Sequence, residues 1–282
     1  MTVIITSCSK TKRYFVPHNM SIASCKKGSL AEVSNEWVDR LKNYSGETYL
    51  ASEFYGGRGF VYAKDTAQKL NANLAVVSSG LGIIKGDTKI PPYGCTVVPG
   101  SDDSVKPMIS DNSFSPQGWM RAMQYASPVS KSLTDIIKGD NGLILVSLSA
   151  GYLRMIGQDL ATLPTEVKER LRILTRAPLK DIRPDLHRFV MPYDKRLDSP
   201  LSSYRGTMSD FASRALQHFA SEIMPLEGEN KALQTKQINQ SLDRLIEKPY
   251  KPQEPALLEQ SYDDELPLLN GLRDNDHSGP CL

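Results

Sequence analysis

Short runs of continuous apolar residues, separated by helical patterns, constrain the fold of this chain more than any other feature. Three such runs lie at residues 3–5, 74–77 and 143–146. The spacing of apolar residues predicts helices over 29–43, 60–70, 118–138, 206–223 and 229–247. Continuous apolar strands that alternate with helices are typical of a parallel sheet buried on both faces. We therefore predict an α/β fold, with a mostly parallel sheet, helices on both of its faces and a helical C-terminal extension.

The length of 282 residues allows one or two domains. We predict one α/β domain over 1–225, carrying a nucleobase or nucleic-acid site, and a C-terminal extension over 226–282 that is helical, then acidic and partly mobile. Residues 251–282 hold seven acidic and two basic residues, so the total charge of +2 leaves +7 for residues 1–250. A basic body with an acidic tail fits a polyanionic partner. The alternative is a basic globule with a solubilising tail.

Several classes of protein are excluded by what the sequence lacks. It holds no apolar run of about 18 residues, which a membrane-spanning helix requires. Its first residues lack the basic lead and the long apolar stretch of a secretory signal. The four cysteines form no C-x-x-C pair and suit a reducing compartment. We expect a cytoplasmic protein that uses no membrane, metal or cofactor, and its oligomeric state stays open.

Small hydroxylated residues follow three of the predicted strands. Ser7 and Ser9 follow the first strand, Ser79 and Gly80 the second, and Ser149 the third. In parallel sheets, ligands bind outside the carboxyl ends of the strands, where such residues expose backbone N–H groups. The alternative is that serines simply cap the following helices. Because all three strands end in the same chemistry, we favour a shared binding site.

Four cations near these loops are candidates for holding phosphate. Lys10, Lys12 and Arg13 follow the first strand, and Arg205 precedes the helix predicted from residue 206. The segment is not a P-loop, because no G-x-x-x-x-G-K-[ST] pattern is present. The alternative is that these residues are solvated loop charges.

Two tyrosines and one aspartate complete the set of candidate site residues. Tyr55 precedes a glycine-rich turn, and a tyrosine ring can stack on a nucleobase. Asp87 is the lone carboxylate of a constrained loop that also holds Tyr93, and such a group suits the activation of water. The alternatives are an ordinary turn into the next helix for Tyr55 and a turn-capping aspartate for Asp87.

Taken together, these segments resemble the YaaA-like family. The family pattern has a C-S-K-x-K start, a central L-Y-x-G-x-x-F and an S-[AG]-x-Y-G-L-[IL]-x-P-x-D-x-I-x-P-Y stretch. The corresponding segments here are SCSKTK at 7–12, FYGGRGF at 54–60 and SSGLGIIKGDTKIPPY at 78–93. The resemblance covers about residues 3–94, a third of the chain. The family's Y-G-L appears here as Leu81-Gly82-Ile83, and the proline before the aspartate is absent, with Lys85-Gly86 in its place.

The resemblance implies a nucleobase site at the strand ends. YaaA-like proteins are associated with DNA binding and oxidative stress. They are distantly similar to the uracil-DNA-glycosylase-like α/β fold and to a domain of enzymes of 7-deazaguanine RNA modification. Some relatives suggest a role in DNA modification or phage defence. Carried over by position, the base pocket comprises Ser7, Ser9, Lys10, Tyr55, Ser79, Gly80, Asp87 and Tyr93.

These observations together predict a DNA-binding hydrolase that cleaves the N-glycosidic bond of a normal or modified base flipped out of single- or double-stranded DNA. The expected catalytic residues are Asp87, which orients water, and Lys10. The expected base-binding residues are Ser7, Ser9, Tyr55, Ser79, Gly80 and Tyr93, and the expected phosphate-binding residues are Lys12, Arg13, Ser149 and Arg205. Two alternatives are a non-enzymatic YaaA-like DNA-binding stress protein and a nucleotide or nucleoside base-exchange enzyme.

Overall fold

A computed structural model describes residues 1–227 and 230–246 of the chain. Its strands are β1 (Val3–Ser7), β2 (Tyr49–Leu50), β3 (Asn73–Ser78), β4 (Gly82–Lys85), β5 (Lys89–Ile90), β6 (Ile144–Ser147) and β7 (Leu171–Leu174). Its helices are α1 (Leu30–Lys42), α2 (Ala51–Phe54), α3 (Arg58–Lys69), α4 (Pro116–Ala126), α5 (Leu133–Ile137), α6 (Ala150–Ala161), α7 (Thr165–Lys168), α8 (Phe211–His218), α9 (Met224–Glu227) and α10 (Lys231–Asp243). The acidic segment 251–282 lies outside the described residues.

The main sheet has five strands in the order β4-β3-β1-β6-β7. Within this sheet of the described residues, β3, β1, β6 and β7 run parallel and β4 runs antiparallel to β3, while β2 and β5 form a separate antiparallel pair. The chain leaves β1 first towards β3 and later returns to the other side of β1 with β6. The strand order therefore reverses at β1, where open α/β sheets bind their ligands. The predicted α/β fold with a mostly parallel sheet is confirmed.

Helices cover both faces of the sheet, as the continuous apolar strands predict. Alternate residues of β1 point to opposite faces, so Val3 and Ile5 lie in one core and Ile4 in the other. The first core includes residues from α1, α4 and α6, and the second includes residues from α3, α8 and α10. Within the described residues, no helix is long and apolar enough to cross a membrane.

Two helices differ from their predicted bounds. The helix predicted over 118–138 is two helices, α4 and α5, because Ser127 adopts an extended backbone before Pro128. The helix predicted over 206–223 begins with a 3₁₀ turn, Met208–Asp210, and becomes α-helical only at Phe211. Its last part, Phe219–Ile223, is a π-helix.

The connection between β3 and β4 is a tight reversal. Gly82 has φ +85°, a left-handed conformation that glycine adopts without a steric cost. Strand β4 then runs back along β3, with Ser78 opposite Gly82 and Ala75 opposite Lys85. Residues after β4 are thereby carried to the amino-terminal edge of the sheet, away from the edge where β1 and β6 end.

Candidate functional site

A cleft of about 830 Å³ opens at the carboxyl edge of the sheet. Its walls come from the segments that follow β1, β6 and β7 and from the beginnings of α3, α6 and α8. Residues between 96 and 101, in the loop that joins β5 to α4, complete the lining. The position is the one that the reversal of strand order at β1 selects for ligand binding. Four of the predicted site residues line this cleft: Ser7, Ser9, Lys10 and Ser149.

Two long helices present uncapped N-termini to the cleft. The N-cap of α3 is Gly57, which has no side chain to offer, and the N-cap of α6 is Ser149, whose side chain makes no capping hydrogen bond. By contrast, side chains cap the helices α1, α4, α5 and α10, which begin elsewhere. Uncapped first-turn N–H groups carry the positive end of the helix dipole. The cleft therefore offers two anion-binding helix ends.

Ser9 joins the loop after β1 to the beginning of α3. Its hydroxyl donates to the carbonyl of Thr11 at 2.7 Å and accepts from the N–H of Gly57 at 3.1 Å. A Cβ atom at Gly57 would lie 2.6 Å from the Cβ of Ser9, so only glycine permits this approach. Ser9 therefore lines the cleft and also fixes the loop after β1 to the beginning of α3.

Three cations line the cleft: Lys10, Arg58 and Arg176. Lys10 is exposed, and the side chain of Arg58 is 54% exposed although its Nε donates to the carboxylate of Asp210 at 2.5 Å. Arg176 donates to Asp198 at 3.1 Å and also approaches the Met208 sulfur. All three side chains retain N–H groups that can turn to an anionic ligand.

The carboxylate of Asp210 lies in the cleft wall, but arginines hold both of its oxygens. Arg214 donates to one oxygen at 2.7 Å and Arg58 to the other. Burial opposes ionisation of Asp210, yet the hydrogen bonds from Arg214, the Thr207 N–H and Arg58 hold its pKa below the ordinary value. Asp210 therefore stays ionised and positions Arg58.

The thiol of Cys8 and the hydroxyl of Tyr152 lie 3.2 Å apart, and both residues line the cleft. Burial, and then the neighbouring Cys8, raise the pKa of Tyr152 well above its ordinary value. The tyrosine therefore remains protonated at neutral pH and can donate a hydrogen bond.

Lys12 was predicted to bind phosphate, but its ammonium points into the protein. Its Nζ donates to the carbonyl of Ser9 and lies 4.8 Å from the ring centre of Tyr55 and 5.0 Å from that of Tyr93. Burial lowers its pKa, against the opposing effect of nearby groups such as Cys8 and Asp103. These contacts make Lys12 a support of the β1 loop, and the structure does not bring its charge into the cleft.

The two tyrosines predicted to stack on a base are core residues. Tyr55 and Tyr93 are fully buried, and neither lines the cleft. Ser79 and Gly80 are buried as well, and their carbonyls accept hydrogen bonds from the indoles of Trp119 and Trp37. Because all four residues are buried and none lines the cleft, the structure does not bring them into contact with a ligand bound there.

Asp87 lies at the opposite edge of the sheet from the other predicted site residues. The N–H of Gly86, the residue before it, donates to the carbonyl of Leu74, whereas Ser7 is in register with Val77. Leu74 and Val77 are three residues apart on β3, which corresponds to roughly 10 Å at about 3.3 Å per residue. Asp87 lines a separate cavity with Val3, so the structure does not bring its carboxylate together with Lys10.

Two predicted phosphate-binding arginines also lie outside the cleft lining. Arg13 is exposed, and its backbone N–H donates to the carbonyl of Phe54. Arg205 is exposed in the turn before α8. The arginines that line the cleft are instead Arg58 and Arg176, which the sequence analysis does not select. The same rule, that ligands meet the residues after a parallel strand, identifies Arg176 after β7.

The described residues contain no group of three or more histidine, cysteine, aspartate or glutamate side chains that could hold a metal ion. No protein-family model, curated protein or solved structure matches the chain. The functional assignment consequently rests on the geometry of the cleft.

Proposed function

We propose that this chain is a hydrolase that binds a nucleotide by its phosphate in the cleft and cleaves its N-glycosidic bond. The nucleotide is presented by DNA from which it has been flipped. One observation carries the proposal: the uncapped ends of α3 and α6 meet Lys10 and Arg58 at the point where the strand order reverses.

A phosphate is the ligand that this chemistry fits best. Free N–H groups at a helix end and flexible cations both bind phosphate oxygens. The volume of about 830 Å³ lies within the usual range for a small-molecule site, and it suits one nucleotide better than a length of duplex. An enzyme acting on a base in DNA therefore has to extrude that nucleotide.

With Asp87 at the other edge of the sheet, we assign the water-orienting role to Asp103. It belongs to the loop whose residues Thr96 and Ser101 line the cleft, and the Ser101 hydroxyl donates to its carboxylate at 2.9 Å. Asp103 reaches the cleft through Ser101, whereas Asp210, the carboxylate that lines the cleft, is already held by two arginines.

In this scheme water attacks C1′ of the sugar and gives its proton to the Ser101 hydroxyl, which passes its own proton to the carboxylate of Asp103. The C1′–N bond breaks, and the base leaves with the bonding electron pair and takes up a proton. The carboxylate also stabilises the positive charge that develops on the sugar. We assign to the Tyr152 hydroxyl, which is protonated at neutral pH and lines the cleft, the role of donating a hydrogen bond to the leaving base.

The test is to incubate the protein with normal and modified oligonucleotides and with nucleoside monophosphates, and to measure released base by mass spectrometry. Asp103→Asn should reduce base release by about 10²- to 10⁴-fold, the usual effect of losing an acid–base group. Asp102→Asn is the matched control, because Asp102 is the adjacent and exposed aspartate of the same loop, whereas Asp103 is the aspartate that accepts the hydrogen bond from Ser101.

Each outcome separates the proposed function from its rivals. Release from oligonucleotides supports the DNA-acting hydrolase, whereas release only from free nucleotides in the presence of an acceptor base supports the base-exchange enzyme. Binding without any base release overturns the hydrolase and favours a DNA-binding protein. Equal activity of Asp103→Asn and Asp102→Asn removes Asp103 from the mechanism.

A further inference from the structure

A second cavity, of about 650 Å³, adjoins the cleft. The two cavities share five lining residues: Val98, Pro99, Ser149, Gly151 and Tyr152. The beginning of α6 therefore forms a common floor, and residues 98–99 form a ridge between the cavities. A Cβ atom built at Gly151 meets no other atom within 4 Å, so the floor between the cavities is open to a ligand.

The second cavity differs from the cleft in chemistry. Its walls include the apolar side chains of Val97, Ile109 and Phe114, with the polar groups of Ser110 and Asn112 beside them. Such a combination of apolar walls and a few polar groups is typical of a pocket that recognises a planar organic group. The cleft, by contrast, is lined by cations and helix ends.

Three charged residues line the second cavity. Lys106 is exposed, and Arg154 pairs with Asp181 across 3.5 Å while remaining 46% exposed. Asp111 is turned to its own loop, where it accepts hydrogen bonds from the hydroxyl and the N–H of Ser113. The groups that remain available to a ligand are therefore mainly donors, which suits the carbonyl oxygens and ring nitrogens of a base.

We infer that the second cavity is the specificity pocket for the base of the nucleotide whose phosphate lies in the cleft. This inference rests on the proposed function. The class of substrate is a nucleotide whose base is large or carries a substituent, because the cavity volume is well above the lower limit for a small-molecule site. The sugar then lies over Gly151 and beside Tyr152, where the two cavities meet.

The experiment compares ribose 5-phosphate with the four common nucleoside 5′-monophosphates by calorimetric titration. The wild-type protein should bind at least one monophosphate about tenfold more tightly than ribose 5-phosphate, since contacts with a base face contribute on that scale. Ser110→Trp fills the second cavity, so the affinity for the monophosphate should fall to about the affinity for ribose 5-phosphate. The affinity for ribose 5-phosphate should stay unchanged. Asp102→Trp, in the same loop but outside both linings, is the matched control.

Phe114→Ala provides a second route if Ser110→Trp does not fold, because it removes an apolar wall without adding bulk. Phe114→Ala should also weaken the binding of the monophosphate and leave the binding of ribose 5-phosphate unchanged. Equal affinity of the wild type for both kinds of ligand overturns the base pocket while the phosphate cleft stands. The base pocket is also overturned if the variants lose affinity for the monophosphate and for ribose 5-phosphate to the same extent. A wild type that binds neither ligand overturns the proposed function and this inference together.

Discussion

The hydroxyl oxygens of Tyr55 and Tyr93 lie 2.7 Å apart in the protein core. The Tyr93 hydroxyl also lies 2.5 Å from the Ser78 hydroxyl, which accepts the N–H groups of Gly80 and Leu81. Burial raises the pKa of both tyrosines, so they remain neutral hydrogen-bonding groups. This chain of hydroxyls fixes the turn between β3 and β4 and gives both tyrosines a structural role.

Removing either tyrosine hydroxyl should therefore reduce stability, and Tyr93→Phe should cost more than Tyr55→Phe. Tyr93→Phe leaves the hydroxyls of Tyr55 and Ser78 without this buried partner, at a cost of about 1–3 kcal/mol. Tyr55→Phe breaks one bond and leaves Tyr93 bonded to Ser78, at a cost of about 0.5–1.5 kcal/mol. Urea unfolding measures both free energies.

The base-stacking role predicted from the sequence leads to a different expectation for the stability of these variants. If Tyr55 or Tyr93 held a base, the phenylalanine variants would keep the wild-type free energy of unfolding and their rings would still stack. A loss of nucleotide affinity in Tyr55→Leu at unchanged stability would restore the stacking role and contradict the core assignment.

The cleft was predictable because it depends on backbone topology. Continuous apolar strands indicate a parallel sheet, and the residues after parallel strands meet at one edge. The sequence therefore brings Ser7, Lys10 and Ser149 together without any knowledge of side-chain packing. Arg176 follows β7 in the same way.

The position of Asp87 was not predicted, although a signal for it exists. Only residues 79–81 separate β3 from β4, whereas a parallel crossover needs about a dozen residues or more. The short connection therefore indicates an antiparallel return that carries Asp87 to the other edge. The burial of Tyr55, Tyr93 and Lys12 carries no comparable signal, because it is decided by packing between segments far apart in sequence.

Lys10 and Lys12 should respond differently to substitution, although they are two residues apart. Lys10 is exposed at the cleft, so Lys10→Met should weaken ribose 5-phosphate binding and change the free energy of unfolding by less than about 1 kcal/mol. Lys12→Met loses the hydrogen bond to the Ser9 carbonyl and the contacts with two rings, so it should cost about 1–3 kcal/mol. Calorimetric titration and urea unfolding measure the two effects.

Each lysine is the control for the other. If DNA is the ligand, Lys10→Met should also reduce the slope of log affinity against log salt by about 1. Wild-type affinity in Lys10→Met, or wild-type stability in Lys12→Met, would contradict the assignment of that residue.

Gly57→Ala should both destabilise the protein and impair the cleft. Its backbone has φ −68°, which alanine adopts freely, so the damage comes from the contact with Ser9. Overpacking of this kind costs typically about 1–3 kcal/mol. Gly151→Ala is the matched control, because its added Cβ meets no atom within 4 Å and alanine favours a helix, so it should not lower the free energy of unfolding.

A second substitution tests whether the contact with Ser9 causes the destabilisation by Gly57→Ala. Ser9→Gly removes the Cβ atom that alanine at position 57 would contact, so the double variant should be more stable than the sum of the two single effects. Strict additivity in urea unfolding would show that the Ser9–Gly57 contact is not what excludes alanine.

Acid should weaken the packing of α8 against α10 through His218. One ring nitrogen of His218 lies 2.8 Å from the Tyr193 hydroxyl and the other lies 2.8 Å from the Ser241 hydroxyl of α10. Burial lowers the pKa of His218 from 6.5 to about 4, against the opposing effect of Glu222. Between these two pH values the unfolded chain binds a proton that the folded protein does not.

The stability that depends on His218 is therefore fully present above pH 6.5 and is lost as the pH falls to about 4. The loss approaches about 3 kcal/mol, since each unit of pKa difference corresponds to about 1.4 kcal/mol. His218→Gln does not titrate, so the difference in unfolding free energy between wild type and variant should shrink by this amount between pH 7 and pH 4. The carboxylates titrate in both proteins and largely cancel in that difference. Parallel pH profiles in urea unfolding would show that His218 is not the group through which acid acts.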